Sequence, residues 1–224
     1  MKLSREEIRR KLLHLFALLM PIGIFYAPRW SFPFWLVPLL LFLIFASSVI
    51  VETLRFKVPF IQKTVLSIFG SMMRKEEHSN VSGWTWVVGS AFLCSIVFNN
   101  WPYVSFIALT LFIIGDAMAA LIGISIGRIK IGKKTLEGSL ACFIVCILLF
   151  YVVFPFVPGL FDKWGINGGR CVPPTLMIWV TSIVITIFEL IPLKITPKFV
   201  INDNLAVPVI AGYVMLGLKQ LLNH

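Results

Sequence analysis

The chain has 224 residues, of which 58% are hydrophobic and 13% are charged. Its apolar runs reach the roughly 20 residues that cross a lipid bilayer, which excludes an ordinary soluble domain. The net charge of +10 is divided among several short segments, which argues against a nucleic-acid-binding protein. We therefore predict an all-α, polytopic integral membrane protein that forms a single transmembrane domain over residues 1–224.

Seven transmembrane helices are expected from the apolar runs. In chain order they cover residues 12–28, 31–50, 84–98, 103–127, 139–158, 174–192 and 204–222. With a cytosolic N-terminus, only four of the 20 Lys and Arg residues would lie outside: Arg29, Lys163, Arg170 and Lys219. The positive-inside rule therefore predicts a cytosolic N-terminus and an external C-terminus. The membrane would be the plasma or inner membrane of a prokaryote, or the endoplasmic reticulum of a eukaryote.

Basic residues collect at the cytosolic edge of the first predicted span. Ser4 and Glu7 have the spacing of a capping box, which favours a helix that begins here and runs into the span. Arg10, Lys11 and His14 would lie within about one turn of each other on this helix. Orientation of the chain and snorkelling also explain such residues, so a binding role and a topological role both stay open.

The longest predicted cytosolic segment covers residues 52–83. After Pro59, apolar residues recur at helical spacing from Ile61 to Met72, which predicts an amphipathic helix lying in the membrane interface. Such a helix either controls the lateral entry of a lipid or simply connects two spans.

The fourth predicted span carries a carboxylate within its apolar sequence. An ionised Asp at mid-helix costs about 2.5–3.5 kcal/mol on insertion scales, so Asp116 needs a compensating partner. Small residues recur at every fourth position of this span and form a ridge that lets another helix approach closely. They are Gly115, Ala119, Gly123 and Gly127. Because Asp116 borders this ridge, we expect it to face the bundle interior, where its partner is a metal ion, a polar substrate or a basic side chain.

The segment after this span, residues 128–138, is predicted to be a cytosolic phosphate-binding loop. It falls one residue short of the G-x-x-x-x-G-K-[ST] pattern, because Lys134 stands where Ser or Thr is required. A P-loop also follows a strand, whereas this loop follows a membrane helix. The chemistry still suits phosphate, since exposed backbone N–H groups would lie among four cations. These are Arg128, Lys130, Lys133 and Lys134. Alternatively, the lysines only fix the topology.

Further acids stand at the predicted inner ends of the last three spans. Glu137 and Asp203 open the fifth and seventh spans, where each could simply stabilise a helix N-terminus. Glu189, at the end of the sixth span, has no neighbour in sequence that pairs with it. Phosphoryl transfer requires carboxylates for Mg²⁺, cations for phosphate oxygens and a carboxylate for the acceptor hydroxyl. The acids and the basic loop provide all three, and a lipid alcohol is the natural acceptor in a membrane.

Taken together, these residues resemble the CTP-dependent lipid-alcohol kinases, a family that includes dolichol and polyprenol kinases, phytol kinase and the yeast-type diacylglycerol kinase. The most specific part is the central GD…KKTLEG element combined with DN-x-x-x-P. The matching positions span nearly the whole chain: Lys11, His14, Glu52, Arg55, Arg74, Glu77, Gly83, Gly115, Asp116, Gly127, Lys134, Thr135, Glu137, Gly138, Glu189, Asp203, Asn204 and Pro208. The chain is shorter than the eukaryotic members, which leaves the acceptor open among a polyprenol, a shorter isoprenoid alcohol and diacylglycerol.

The resemblance implies a kinase that uses CTP and Mg²⁺ to phosphorylate a lipid alcohol at the cytosolic face. The implied catalytic residues are Asp116, Glu137 and Asp203, and the implied metal ligands are these three and Glu189. The implied nucleotide- and phosphate-binding residues are Arg128, Lys130, Lys133, Lys134, Thr135, Gly138 and Asn204, with an outer group of Lys11, His14, Arg55 and Arg74. The choice of CTP over ATP rests on the resemblance alone. The expected partners are the nucleotide, the lipid substrate and the membrane, and homo-oligomerisation is left open.

Two other functions fit parts of the sequence. The GD…KKT-x-EG element also looks like part of phosphatidate cytidylyltransferase. That enzyme's C-terminal signature, rich in His, Gly and Asp-Arg pairs, is replaced here by Glu189 and Asp203-Asn204. A lipid or ion transporter could use the same acids as a coupling site, although the acids and lysines gather on one predicted side of the membrane. The sequence therefore favours a kinase, with these two functions as alternatives.

Overall fold

The computed structural model describes residues 5–70, 73, 75–161, 173–191, 193–196 and 199–222. Most of these residues are helical. The nine described α-helices are α1 (Arg5–Phe16), α2 (Leu19–Tyr26), α3 (Leu36–Lys57), α4 (Pro59–Phe69), α5 (Gly83–Val97), α6 (Pro102–Ile126), α7 (Leu136–Leu148), α8 (Thr175–Leu190) and α9 (Asp203–Leu221). An antiparallel hairpin of β1 (Lys130–Ile131) and β2 (Lys134–Thr135) lies between α6 and α7, and a second hairpin of β3 (Leu193–Thr196) and β4 (Phe199–Ile201) lies between α8 and α9.

Five of the described helical segments are long and apolar enough to cross a membrane. They are Arg10–Trp30, Leu36–Lys57, Pro102–Ile126, Leu136–Phe156 and Asp203–Leu221. Two further apolar helices, α5 and α8, are shorter, with 15 and 16 residues. The protein is therefore a multi-pass, all-α membrane protein, and this part of the prediction is confirmed. The count of seven spans and the positions of the termini stay predictions.

Helix α6 forms the centre of the bundle. It is buried along most of its length and contacts α1, α2, α5, α7, α8 and α9. Its predicted ridge of small residues packs against α7. A Cβ added to Gly115 would lie 2.8 Å from the Cys142 sulfur, and one added to Gly138 would lie 2.5 Å from the Ala119 carbonyl oxygen. Side chains larger than hydrogen would separate the helices, so the prediction that this ridge admits a neighbouring helix is confirmed.

Two helix boundaries differ from those predicted. The first apolar run contains two helices, because Pro21 has no N–H to donate to the Ala17 carbonyl, which accepts from Met20 at 3.0 Å instead. The second span begins at Leu36 rather than residue 31, and its helix continues to Lys57. Glu52 and Arg55, in its last two turns, can stay helical because they pair with each other and Arg55 also donates to a backbone carbonyl. Residues 52–57 are therefore helical and continue α3, and their cytosolic location stays a prediction.

Helix α4 begins at Pro59, in agreement with the sequence. Pro is favoured in the first turn of a helix because its missing N–H has no partner there, and the preceding Val58 is extended. None of its residues is buried, and the large apolar side chains of Phe60, Ile68 and Phe69 are exposed. Its location in the membrane interface stays a prediction.

Candidate active site

A cluster of charged side chains joins the hairpin after α6 to the facing ends of α8 and α9. Lys134 lies on β2 between two carboxylates. Its Nζ is 2.8 Å from Oε1 of Glu189, at the end of α8, and 2.9 Å from Oδ2 of Asp203, at the start of α9. Lys134 also donates a hydrogen bond to the backbone carbonyl of Glu189. All three residues were predicted from the sequence, and we refer to them as the Lys134 cluster.

The Lys134 cluster is only partly shielded from water. The side chain of Glu189 is 3% exposed, whereas those of Lys134 and Asp203 are 29% and 31% exposed. Burial by itself lowers the pKa of Lys134, but the charges of Glu189 and Asp203 and the hydrogen bonds to them outweigh it. The pKa is therefore raised above its ordinary value. Lys134 is a cation throughout the neutral pH range.

A second charged pair lies where α1 meets α6. The Nζ atom of Lys11 is 2.6 Å from Oδ2 of Asp116 and donates to the Asp116 backbone carbonyl at 3.2 Å. The Nε2 atom of His14 is 3.5 Å from the same carboxylate oxygen. Asp116 is turned inward, with 15% of its side chain exposed.

The hairpin between α6 and α7 carries the other predicted phosphate-binding cations. Gly132 has a φ of 62° in its turn, a left-handed conformation that glycine adopts without strain. Arg128, Lys130 and Lys133 are exposed around this turn, whereas Lys134 reaches back to α8 and α9. The element before the hairpin is a helix, so the loop is not a P-loop.

Glu137 holds the base of this hairpin. Its Oε1 atom accepts hydrogen bonds from the backbone N–H groups of Arg128, at 2.9 Å, and Ile129, at 3.2 Å. Thr135 caps α7 by accepting a hydrogen bond from the Gly138 N–H at 3.2 Å. Together these contacts fix the hairpin to the start of α7, and they thereby position Lys134.

Asn204 ties the start of α9 to the start of α5. Its Nδ2 atom donates to the Gly83 carbonyl at 3.1 Å, and the Gly83 N–H donates to Oε1 of Glu77 at 2.8 Å. Glu77 is thereby joined through Gly83 to Asn204, the residue after Asp203. Glu77 was not among the predicted site residues. Its match to the family pattern was the signal in the sequence that could have identified it.

Arg55 holds the chain rather than facing a ligand. Its side chain is 0% exposed and forms an ion pair with Glu52. The guanidinium also donates to the backbone carbonyls of Glu77, at 3.0 Å, and Asn80, at 2.9 Å. These contacts fasten the segment before α5 to α3. Arg74, the other predicted cation of this region, lies outside the described residues.

A divalent cation fits the predicted acids best at the Lys134 cluster. Mg²⁺ is commonly bound by one or two carboxylates together with substrate phosphates and water. Glu189 and Asp203 present carboxylates from two helices, and Oε2 of Glu189 is buried without a hydrogen-bond partner among the described residues. Asp116 pairs with Lys11, and Glu137 with backbone N–H groups. No group of three or more His, Cys, Asp or Glu residues in the described part of the chain is placed to hold a metal ion.

The chain is similar to an uncharacterized protein of Rickettsia prowazekii (strain Madrid E). The two are 29% identical over 210 residues, which cover 90% of this chain and 89% of the relative. No family model and no solved structure matches the chain. The similarity extends over most of both proteins, and the relative's name gives no function.

Proposed function

We propose that the protein is a CTP-dependent lipid-alcohol kinase. It transfers the γ-phosphate of CTP to the hydroxyl group of an isoprenoid alcohol, such as a polyprenol or dolichol, or of diacylglycerol. The reaction takes place at the cytosolic face of a bundle of seven spans with a cytosolic N-terminus and an external C-terminus. This proposal combines the family resemblance with the geometry of the charged residues.

The observation that carries the proposal is the position of Lys134 between Glu189 and Asp203. A buried carboxylate and a lysine could pair for structural reasons alone. One carboxylate is enough for such a pair, whereas Lys134 lies between two. Lys134 and Asp203 keep about a third of their side chains exposed, so an incoming ligand can reach them. The exposed Arg128, Lys130 and Lys133 add positive charge on the same hairpin.

The chemistry follows from exchanging partners within the Lys134 cluster. When the phosphates of CTP bind, Lys134 turns its ammonium group to phosphate oxygens and releases Glu189 and Asp203. The two carboxylates are then the residues that would hold Mg²⁺, which neutralises charge on the β- and γ-phosphates when bound. The cations of the hairpin stabilise the charge that spreads over the γ-phosphoryl oxygens in the transition state.

Asp116 is the group that we assign to the acceptor hydroxyl. It lies inside the bundle and its carboxylate is paired with Lys11 rather than with the Lys134 cluster. A carboxylate in this position accepts the proton of the lipid hydroxyl as the oxygen attacks the γ-phosphorus. The bond between the γ-phosphorus and the bridging oxygen of the β-phosphate breaks, and CDP leaves. Lys11 and His14 hold Asp116 in position until the acceptor arrives.

The test is transfer of label from γ-labelled CTP to a lipid alcohol by the purified protein with Mg²⁺. Crossing four nucleotides with a panel of polyprenols, shorter isoprenoid alcohols and diacylglycerol identifies both substrates. We expect CTP to be the preferred donor. If CMP appears on phosphatidate instead, the protein is a cytidylyltransferase. Movement of a substrate across vesicles without nucleotide would identify a transporter.

Asp116→Asn separates a catalytic Asp116 from a structural one. We expect the variant to lose turnover by about 100- to 10,000-fold, the usual contribution of a general base, while it stays folded in detergent. The matched control is Asp162→Asn, in the loop that the sequence predicts to be external. Full activity of Asp116→Asn would remove Asp116 from the site.

A further inference from the structure

The first residue of α5 lies between two polar side chains from distant parts of the chain. The Gly83 N–H donates to Oε1 of Glu77 at 2.8 Å, and the Gly83 carbonyl oxygen accepts from Nδ2 of Asn204 at 3.1 Å. A backbone N–H at the start of a helix has no partner within the helix, and the Glu77 carboxylate provides one here. We call Glu77, Gly83 and Asn204 the Gly83 clamp.

The Gly83 clamp requires glycine at its centre for steric reasons. A Cβ built on Gly83 would lie 3.0 Å from Nδ2 of Asn204 and 3.1 Å from Oε1 of Glu77. Both distances are shorter than the usual contact of a methyl group, so a larger residue would move one or both polar groups away. Gly83 is helical, a conformation open to any residue, so the space and not the backbone angle requires glycine.

The Gly83 clamp is joined to the Lys134 cluster by the Asp203 carboxylate. Oδ2 of Asp203 is 2.9 Å from Nζ of Lys134, and Oδ1 accepts a hydrogen bond from the Asn204 backbone N–H at 3.0 Å. The same N–H donates to Oδ1 of Asn202, which caps α9. Lys134 therefore holds one oxygen of the Asp203 carboxylate, and the Asn204 backbone holds the other.

The contact with the Asn204 backbone matters most when Lys134 is engaged elsewhere. In the proposed reaction, Lys134 turns to the phosphates of CTP and releases Asp203. The side chain of Asp203 is 31% exposed, so without another contact it would rotate into water. The Asn204 N–H is the contact that stays, and the side-chain amide of Asn204 holds this residue against Gly83.

We infer that the Gly83 clamp positions the Asp203 carboxylate in the Lys134 cluster, so that Glu77 and Asn204 are positioning residues. Residues that orient a metal ligand without touching the metal contribute about 10- to 100-fold to metal affinity or activity. The consequence for Mg²⁺ rests on the proposed kinase function, whereas the effect on the contact between Asp203 and Lys134 does not.

A double-mutant cycle tests the link to Lys134 without an assay of activity. Asp203→Asn and Lys134→Met are made separately and together in detergent-purified protein. The non-additive part of their effects on the melting temperature measures the contact between the two side chains. We expect this part to fall by at least half when Gly83→Ala is also present, because the added methyl group displaces Asn204 and with it Asp203.

Gly217→Ala is the matched control for the added methyl group. Gly217 lies on α9, and a Cβ there would meet no neighbouring atom of the described residues within 4 Å. The non-additive part should keep its wild-type value in this protein. Equal values in the wild-type, Gly83→Ala and Gly217→Ala proteins would overturn the inference. If Gly83→Ala does not fold, Asn204→Ala replaces it and is judged by the same comparison.

Two substitutions of Glu77 test the Gly83 clamp in turnover. Glutamine keeps the oxygen that accepts from the Gly83 N–H, whereas alanine removes it. We expect Glu77→Ala to raise the Mg²⁺ concentration for half-maximal activity about tenfold, with the KM for the lipid alcohol unchanged. Glu77→Gln should return the Mg²⁺ requirement to within about twofold of wild type.

The outcomes separate the clamp from the kinase function. A wild-type Mg²⁺ requirement in Glu77→Ala, or the same increase in Glu77→Gln, would overturn the inference and leave the kinase function standing. If the wild-type protein phosphorylates no lipid, the kinase function fails, and the double-mutant cycle still decides whether the Gly83 clamp positions Asp203.

Discussion

Arg55 and Lys134 are both predicted phosphate-binding cations, yet the structure gives them different surroundings. Arg55 is completely buried and its guanidinium is divided among Glu52 and two backbone carbonyls. Lys134 is about 29% exposed, and two of its acceptors are the carboxylates of Glu189 and Asp203, which lie on separate helices. A buried cation held mainly by backbone carbonyls fixes the chain, whereas a partly exposed cation held mainly by side-chain carboxylates can exchange them for a ligand. Burial and the type of acceptor therefore distinguish a structural cation from a binding cation.

The largest effect is expected from removing the structural cation. Arg55→Met leaves the Glu52 carboxylate buried without its partner, which costs about 3–5 kcal/mol of stability. We expect the melting temperature in detergent to fall by at least about 6 °C, with the turnover of the remaining folded protein within about threefold of wild type. Glu52→Gln combined with Arg55→Met should recover part of the loss, because no unpaired charge remains. A normal melting temperature with lost turnover would instead make Arg55 a ligand-binding residue.

The binding cation should give the opposite result. Lys134→Met removes the group that we assign to phosphate oxygens, and we expect turnover with CTP to fall by about 100- to 1,000-fold. The melting temperature should fall less than in Arg55→Met, since Asp203 is partly exposed and can be solvated. Lys63→Ala, on the exposed helix α4, is the control for loss of one positive charge. A large loss of stability with normal turnover in Lys134→Met would assign Lys134 to the structural class.

The helical part of the fold could be predicted because the bilayer imposes a minimum length and an apolar surface on each span. The four-residue spacing of small residues also predicted a close helix contact along α6, and the structure shows that the partner is α7. The boundaries of the first two spans were less accurate. A single proline interrupts one helix, and paired charges allow α3 to continue beyond the apolar run. Hydropathy alone contains neither of these effects.

The candidate site could be predicted as a set of residues but not as a set of contacts. The partners of Lys134 are 55 and 69 positions away in sequence, and those of Lys11 are 105 positions away. One sequence gives no information about which acid meets which lysine over such distances. Arg55 and Glu137 show the consequence, because both carry the right charge and both contact backbone groups in the structure.

Glu137 provides a smaller test of the same distinction. Its carboxylate accepts hydrogen bonds from the backbone of the hairpin, so Glu137→Gln keeps one acceptor oxygen and most of the geometry. We expect the KM for CTP to rise less than about tenfold, with the Mg²⁺ concentration for half-maximal activity unchanged. Asp203→Asn is the comparison, and there the Mg²⁺ requirement should rise. A shift of the Mg²⁺ requirement in Glu137→Gln would instead support the prediction that Glu137 is a metal ligand.

The smallest expected effect concerns pH. The charges of Glu189 and Asp203 outweigh burial and raise the pKa of Lys134 in the folded protein. Its contribution to stability is therefore complete below its pKa in the unfolded chain, about 10.4, and is lost only as the pH rises above that value through the raised pKa. The difference in melting temperature between wild type and Lys134→Met should consequently stay constant from about pH 6 to pH 9. A difference that shrinks over this range would mean that Lys134 loses its proton near neutral pH, and such a lysine could not serve as a permanent phosphate-binding cation.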